Sequence, residues 1–292
     1  MRPFGKTMAE SILARLDPRH IVYDPYPFVH TTEALAPDYY RELAAAFPCM
    51  ERIVAGRPLA NNHAYLINAP DVMGDPAIPE IWRDFFAHHI SHAFLEELLD
   101  FWRPAIEREY PDIEDRFGKP LCELTTGVRH RCKQKRGVEK DGDVMMDVQF
   151  GVNSPVTAPT SVRGPHVDNN HKLFAGLLYF RLPQDEAEGG DLCLYRFRSQ
   201  RAHHDARMDY EERFVEPFRT IPYRSNSFIM WLNTERSLHG VTPRQPTPMH
   251  RRYVNFIGEA YALTTDGFFP LRRSLLGGAT STLRRLAGAR EV

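Results

Sequence analysis

The chain has 292 residues, of which 42% are hydrophobic and 26% charged, proportions usual for a soluble globular protein. Lys and Arg number 37 against 38 Asp and Glu, giving a net charge of −1. This balance excludes a global attraction to nucleic acid or anionic membranes. No apolar run approaches the ~20 residues that span a bilayer, and the first residues lack the apolar stretch of a signal peptide, so we expect a cytoplasmic protein. Four scattered cysteines without a C-x-x-C pair favour reduced thiols.

The N-terminal region, residues 1–120, is predicted to be mainly helical. Residues 8–16 and 37–47 have the pattern of short amphipathic helices. The second has Pro37 near its start and is followed by Pro48, positions that suit the beginning and the end of a helix.

A loop and a long helix are predicted next. Residues 51–73 have no clear period, and we expect a loop that faces a substrate through Asn62 and Tyr65 or, equally, covers the core. Apolar residues at three- and four-residue steps from 79 to 110 predict one long helix. Pro104 should kink or end it.

Short apolar runs separated by turn residues follow from residue 121 onward, and their regular spacing favours a β-sandwich or barrel. We therefore expect a mixed α+β protein with a mainly β core at 121–265 and an Arg-rich tail at 266–292, in which a short helix is predicted at 281–286. The basic run 130–136 is predicted to be a solvated hairpin tip, and 198–213 a long polar loop. Strands are predicted at 121–132, 144–152, 172–182, 191–197, 214–221, 227–232, 240–242 and 251–261.

Two His-x-Asp motifs occur, and they differ in context. His166 and Asp168 immediately precede a predicted apolar strand, and in an extended segment residues i and i+2 point to the same side. His203 and Asp205 lie in a polar, Arg-rich segment without a strand pattern, where ligands would be poorly held. We therefore predict a metal site at the first motif.

A third ligand should come from a strand that returns to the same place. His239 precedes a short β segment, whereas His250 abuts two arginines in a predicted turn and His171 is too close to Asp168. We predict His239. Two imidazoles and one carboxylate that leave metal positions open are typical of non-haem Fe(II) oxygenases.

The combined motifs resemble the 2-oxoglutarate- and Fe(II)-dependent dioxygenases, and the prolyl-hydroxylase-like branch most closely. The resemblance covers about residues 144–261, and its motifs are specific only in combination. They are His166-x-Asp168, an aromatic-rich strand, Gly189-Gly190-Asp191-Leu192, His239-x-Val241 and Arg252-Tyr253, with Tyr26-Pro27-Phe28 near the N-terminus.

The resemblance implies a double-stranded β-helix (jelly roll) that binds Fe(II), 2-oxoglutarate and O2. An arginine on the last strand should hold the far carboxylate of 2-oxoglutarate. The aromatic that follows favours Arg252, but its spacing of 252 − 239 = 13 is longer than usual, which leaves Arg251 open. Tyr179 would contact the same carboxylate, or else pack in the core. Gln149 would contact the co-substrate.

The implied reaction is hydroxylation of a small molecule with release of succinate and CO2. Asp168 argues against halogenation, because halogenating relatives replace this carboxylate with a small residue. The alternatives are hydroxylation of a protein side chain, desaturation or cyclisation on the same iron, and a cupin-like metal protein or isomerase without 2-oxoglutarate. Substrate contacts are predicted at Asn153 and Asn169, and the sequence allows a homodimer. No nucleic-acid or membrane partner is expected.

Overall fold

The computed structural model describes residues 9–129, 141–199 and 209–270. The described α-helices all lie in the N-terminal region. They are α1 (Pro37–Ala45), α2 (Met50–Val54), α3 (Ala69–Gly74), α4 (Glu80–His89), α5 (His92–Glu109) and α6 (Ile113–Phe117). The described strands are β1 (Phe28–Thr31), β2 (Ala64–Asn68), β3 (Thr126–Val128), β4 (Val144–Asn153), β5 (Lys172–Tyr179), β6 (Leu192–Phe197), β7 (Val215–Ile221), β8 (Phe228–Leu232), β9 (His239–Val241) and β10 (Arg251–Ala260).

The strands form a large sheet and a small one. The large sheet has the order β1-β8-β5-β10-β4-β2, with β3 parallel to β4, and the small sheet has the order β7-β6-β9. Each of the eight predicted strand segments overlaps a strand. The mixed architecture of a β core with N-terminal helices is therefore confirmed, although β1 and β2 show that the N-terminal region also extends the sheet.

Alternation along β10 separates the two faces of the large sheet. Phe256 lies in the main apolar core, where its ring is 6.2 Å from that of Phe85 and 5.4 Å from that of His89, both in α4. On the other face, the Trp231 ring in β8 lies 4.4 Å from that of His239 in the small sheet. The helices thus cover one face of the large sheet, and the small sheet packs on the other.

The predicted long helix at 79–110 is wrong in its continuity, since α4 ends at His89 and α5 begins at His92. Ser91 caps the second helix, its hydroxyl accepting a hydrogen bond from the Phe94 amide at 3.2 Å. Pro104 was expected to kink or end the helix, but α5 continues through it to Glu109. The ring lies on the exposed face, where water can satisfy the carbonyl that a proline leaves without a donor.

The predicted loop at 51–73 is also wrong, because it contains most of α2, all of β2 and most of α3. Strand β2 forms because β4 offers it a free edge, a long-range pairing that local pattern does not reveal. Residues 12–15 form a turn where a short helix was expected.

Three predictions lie outside the described residues: the hairpin tip at 130–136, the second His-x-Asp motif at 203–205 and the tail helix at 281–286. The predicted boundaries between the N-terminal region, the β core and the C-terminal tail, at residues 120 and 265, stay a prediction. Within the described ranges, no helix is long and apolar enough to cross a bilayer.

Candidate metal centre

His166 and His239 are joined through their backbones. Each amide donates to the carbonyl of the other residue at 2.9 Å, which makes them a hydrogen-bonded antiparallel pair. Side chains of such a pair point to the same side of the sheet. The two imidazole rings accordingly lie with their centroids 4.1 Å apart.

Backbone carbonyls set the tautomer of both imidazoles. Nδ1 of His166 bonds the Gly164 carbonyl and Nδ1 of His239 bonds the Ser237 carbonyl, each at 2.9 Å. A carbonyl oxygen can only accept, so Nδ1 carries the proton in both rings. Each Nε2 therefore keeps a lone pair, the form in which histidine binds a metal.

Asp168 completes the cluster. One carboxylate oxygen, Oδ2, lies 3.9 Å from His239 Nε2, and the other, Oδ1, lies 3.0 Å from the Lys172 ammonium. One ligand atom from each of the three residues lies within 4.8 Å of the others, and all three residues are buried. The structure therefore brings together the three predicted ligands in a group that can hold a metal ion.

Electrostatics keep the three groups in their ligating forms. Burial lowers the pKa of His166 well below its usual value and also lowers that of His239. Burial alone would raise the pKa of the Asp168 carboxyl, but Lys172, His239 and His166 outweigh it and the pKa is lowered. Neutral imidazoles beside an ionised carboxylate suit a divalent cation.

A buried cation lies near the same site. Arg251, the first residue of β10, is 3% exposed, and it forms no ion pair within the described ranges. The rings of Tyr179, Tyr223 and Tyr253 surround its guanidinium, with centroids 4.8, 4.9 and 5.2 Å from Cζ. The neighbouring buried Arg244, by contrast, pairs with Asp185 at 2.7 Å.

Three buried polar groups around Arg251 have no hydrogen-bond partner among the described residues. They are Arg251 Nη2, the Tyr179 hydroxyl and Asn153 Nδ2, all of which can donate. Burial raises the pKa of Tyr179, against the opposing effect of Arg251, so its hydroxyl keeps its proton. Unsatisfied buried donors are costly, and this cluster, together with an uncompensated positive charge, fits an anion.

Gly190 positions Arg251 relative to the metal centre. Its carbonyl accepts a hydrogen bond from Arg251 Nε at 2.8 Å, and its amide donates to the Thr242 carbonyl at 3.2 Å. Thr242 lies three residues beyond His239, about 10 Å at the rise of a strand. Gly190 thus links Arg251 to the chain segment that begins at His239.

Arg252 lies elsewhere. Its Nε donates to the Phe180 carbonyl at 3.0 Å, and its guanidinium lies 4.9 Å from the Phe47 ring centroid. It therefore points with Val254 and Phe256 toward the helical side. The structure brings Arg251 rather than Arg252 together with Tyr179.

The other predicted contacts divide into two groups. Asn153 lies beside Arg251, its Oδ1 3.3 Å from Nη1. Gln149 and Asn169 bond the carboxylates of Asp147 and Glu259, respectively, at 2.7 and 3.2 Å, on the wall that faces the triad.

Asn62 and Tyr65 instead hold the chain before and within β2. The Asn62 amide donates to the Thr160 carbonyl at 2.8 Å, and the Tyr65 hydroxyl donates to the Pro58 carbonyl at 2.5 Å. Tyr65 packs in the core on the helical side, and the structure does not bring it to the triad.

Lys172 and Asn255 were missed by the sequence reasoning. Lys172 follows Asp168 by four residues and could have been noticed as a charge close to the predicted ligand. Asn255 lies four residues after Arg251 on the same strand, so the two side chains point to the same face of the sheet. Assigning Arg251 to the inner face would therefore have identified Asn255 as a candidate site residue.

No family model matches the sequence, and no curated protein matches it. Solved structures do. A Pseudomonas putida prolyl-4-hydroxylase is 13% identical, over 82% of this chain and 95% of that one, with a TM-score of 0.39. The non-haem α-ketoglutarate-dependent carbocyclase SnoK from nogalamycin biosynthesis is 12% identical, over 94% and 93%, with a TM-score of 0.45.

A Trichoplax adhaerens prolyl hydroxylase in complex with a hypoxia-inducible-factor peptide is 10% identical, over 83% of this chain and 89% of that one, with a TM-score of 0.41. The predicted resemblance to prolyl-hydroxylase-like oxygenases is confirmed as a resemblance. TM-scores below 0.5 describe a likeness too distant to carry residue roles to this chain.

Proposed function

We propose that the protein is an Fe(II)- and 2-oxoglutarate-dependent oxygenase with His166, Asp168 and His239 as its metal ligands. The observation that carries this proposal is the buried triad itself, in which backbone bonds at both Nδ1 atoms turn both Nε2 lone pairs toward one carboxylate. Two imidazoles and one carboxylate leave metal positions for a co-substrate and O2.

The second part of the proposal is that Arg251 and Tyr179 hold the far carboxylate of 2-oxoglutarate. The buried, unpaired guanidinium supplies the charge, while Nη2 and the tyrosine hydroxyl supply donors. A carboxylate would satisfy both at once. Arg251 thus takes the role for which Arg252 was first favoured, and Asn153 lies beside it. Gln149 remains a proposed contact nearer the metal.

The bound iron would supply oxidation: one oxygen atom of O2 enters the substrate at a C–H bond, the other enters succinate, and CO2 leaves. Residues of the chain would bind the metal, orient the co-substrate and exclude water. Asp168 and the imidazoles fix the metal, the Arg251 pocket orients the co-substrate, and the apolar contact of Trp231 with His239 shields that side of the site from water.

We also propose that the two sheets form a double-stranded β-helix. Strands β4 and β5 lie in the large sheet, β6 and β7 in the small one, and β8, β9 and β10 alternate between the sheets. The segment before Asp168 pairs with β9 through His166 and His239. This order supports a triad that lies between the sheets, as the jelly-roll prediction requires.

The proposed reaction is hydroxylation of a small molecule. Hydroxylation of a protein side chain, desaturation and cyclisation would use the same metal centre, and mass analysis of the product separates them. Hydroxylation adds one oxygen atom, whereas desaturation removes two hydrogens.

Succinate formation from 2-oxoglutarate under Fe(II) and ascorbate tests the proposal. We expect turnover by the wild-type protein and none by His166→Ala, which should also lose Fe(II) binding while keeping its unfolding transition. His203→Ala, which alters the second His-x-Asp motif, is the matched control and should bind Fe(II) normally. Turnover that survives His166→Ala, or is lost in His203→Ala instead, would overturn the assignment. A metal-loaded wild-type protein without turnover would favour a cupin-like protein.

A further inference from the structure

Three amide side chains lie side by side on the wall that faces the triad. Asn68 in β2 is the cross-strand partner of Gln149 in β4, and Gln149 is the partner of Asn255 in β10. Directly paired residues point to the same face of a sheet. We call this set the amide row.

The amide row lies on the same face of the large sheet as Trp231. One step along the sheet, Asp147 is paired with Ile257, Ile257 with Ala175, and Ala175 with Trp231. The Trp231 ring contacts that of His239. The face that carries the amide row is therefore the face that carries the triad's neighbours.

Asp147 fixes the direction of the hydrogen bonds. Its carboxylate accepts from the Ala69 amide at 3.0 Å, Arg129 Nη1 at 3.2 Å and Gln149 Nε2 at 2.7 Å. The Ala69 amide and the Arg129 guanidinium can only donate, and although burial raises the pKa of Asp147, the Arg129 cation opposes that effect, so the carboxylate acts as the acceptor. Gln149 must therefore turn its amide nitrogen toward Asp147 and its oxygen away.

The same direction passes from Gln149 to Asn255. Gln149 Oε1 accepts from Asn255 Nδ2 at 3.1 Å, so Asn255 has its nitrogen turned to Gln149 and Oδ1 left for another partner. At the opposite end, Asn68 Oδ1 is buried and accepts no hydrogen bond from the described residues. Asn255 Oδ1 is therefore the acceptor whose orientation Asp147 sets, and Asn68 lies two strands away from it.

We propose that the amide row selects a substrate that carries a hydroxyl or ammonium group, which donates to Asn255 Oδ1. 2-Oxoglutarate cannot be this ligand, because its keto and carboxylate oxygens only accept. The inference rests on the proposed function insofar as the donor belongs to the molecule oxidised at the triad. It assigns Asn255 as a specificity-determining residue and Asp147 as a positioning residue.

Matched probes test the selection directly on the full-length protein. Cyclohexylmethylamine, cyclohexylmethanol and methoxymethylcyclohexane share one ring and differ in the group they present. Because one hydrogen bond contributes about 1–1.5 kcal/mol, we expect the amine, the alcohol or both to bind about tenfold more tightly than the ether in ligand-observed NMR. Comparison of the amine with the alcohol shows whether the site recognises an ammonium or a hydroxyl group. Asn255→Leu should reduce donor binding to the level of the ether.

Asp147→Asn tests the direction of the relay. An amide at 147 can donate to Gln149 Oε1, which lets Gln149 and then Asn255 turn round, so the preference for donors should fall severalfold or reverse. Asp141→Asn, an isosteric change at an exposed residue, is the matched control and should keep the preference.

Equal binding of all three probes, binding of none, or a preference that survives Asn255→Leu overturns the inference. These readings need no turnover, so they are separate from the succinate assay. Turnover without donor preference removes the amide row's role alone, and donor preference without turnover removes the proposed oxygenase alone.

Discussion

Lys172 lies against Asp168, with its ammonium 3.0 Å from Oδ1, while Oδ2 lies 3.9 Å from His239 Nε2. The two oxygens of one carboxylate are thus assigned to different partners. This arrangement favours a carboxylate that offers a metal one oxygen rather than two.

Substitution of Lys172 should therefore weaken metal binding. Lys172→Met removes the group that orients Asp168, and loss of such a partner typically costs 10–100-fold in metal affinity. Titration with Fe(II) or Mn(II) measures the effect. Lys119→Met, which removes a lysine paired with Asp143 at 3.0 Å away from the triad, should leave the affinity unchanged. Tighter binding by Lys172→Met would mean that the ammonium acts chiefly by repelling the cation.

The two neighbouring arginines of β10 should differ sharply in their effect on 2-oxoglutarate. Arg251→Met removes the buried guanidinium, and charge-assisted hydrogen bonds contribute about 1.5–3 kcal/mol, so the Kd should rise by about 10–100-fold. Arg252→Met changes a side chain on the helical face and should leave the Kd nearly unchanged. Calorimetric titration of 2-oxoglutarate into Mn(II)-loaded protein decides between them. A larger loss in Arg252→Met would return the role to Arg252.

Alanine substitutions at Gly190 and Gly56 should distinguish the effect of backbone strain on stability from the effect of site geometry on 2-oxoglutarate binding. Gly190 and Gly56 have φ of +77° and +71°, and a Cβ at Gly56 would meet nothing within 4 Å. At Gly190 a Cβ would lie 3.2 Å from Arg244 Cδ and 3.5 Å from Arg251 Cδ. Both Ala variants should lose about 1–2 kcal/mol of unfolding free energy, but only Gly190→Ala should bind 2-oxoglutarate more weakly.

Chemical denaturation measures the unfolding free energy of each glycine variant, and calorimetry measures its affinity for 2-oxoglutarate. Equal 2-oxoglutarate affinity in the two glycine variants would show that Arg251 does not depend on the Gly190 carbonyl for its position.

His89 should make stability depend on pH. Burial lowers its pKa to about 3, and its ring accepts from the Ile12 amide at 3.0 Å and bonds the Phe85 carbonyl at 2.7 Å. The unfolded chain therefore binds a proton more readily than the folded one below pH 6.5. Stability is full above that value and falls as pH decreases toward 3, by about 2 kcal/mol between pH 7 and pH 5.

Unfolding free energies measured across that range check this expectation. His89→Gln should be less stable than the wild type at pH 7, but its unfolding free energy should change less with pH. His92→Gln, at an exposed helix position, should keep the pH dependence of the wild type. Other buried histidines titrate in all three proteins and cancel in the comparison. An unchanged slope in His89→Gln would assign the effect to those histidines instead.

The sequence could predict the triad that the structure brings together because its signal is local. His166 and Asp168 are two residues apart before an apolar strand, and His239 precedes another short strand. The choice between Arg251 and Arg252 was harder, because neighbouring residues of a strand point to opposite faces of the sheet. The aromatic at Tyr253 favoured Arg252 by pattern, whereas the pairing of β10 with β4 and β5 puts Arg252 on the helical side and Arg251 on the opposite face.

The N-terminal region shows where local pattern fails. The apolar stripe from 79 to 110 continues through the break at Ser91 because both helices bury the same side against the sheet. Strand β2 is only five residues long and is stabilised by its pairing with β4, which lies about eighty residues later. Such a strand depends on a partner distant in sequence.

The backbone bonds at the two histidines have a consequence for metal exchange. Each Nδ1 is held by the carbonyl two residues earlier in the same chain, so ring orientation needs neither the cation nor a distant element. The ligand set is thus preorganised in the empty protein. Unlike a zinc finger, which unfolds without its ion, the proposed iron protein should release a metal bound at the triad to a chelator and take it up again with its architecture intact.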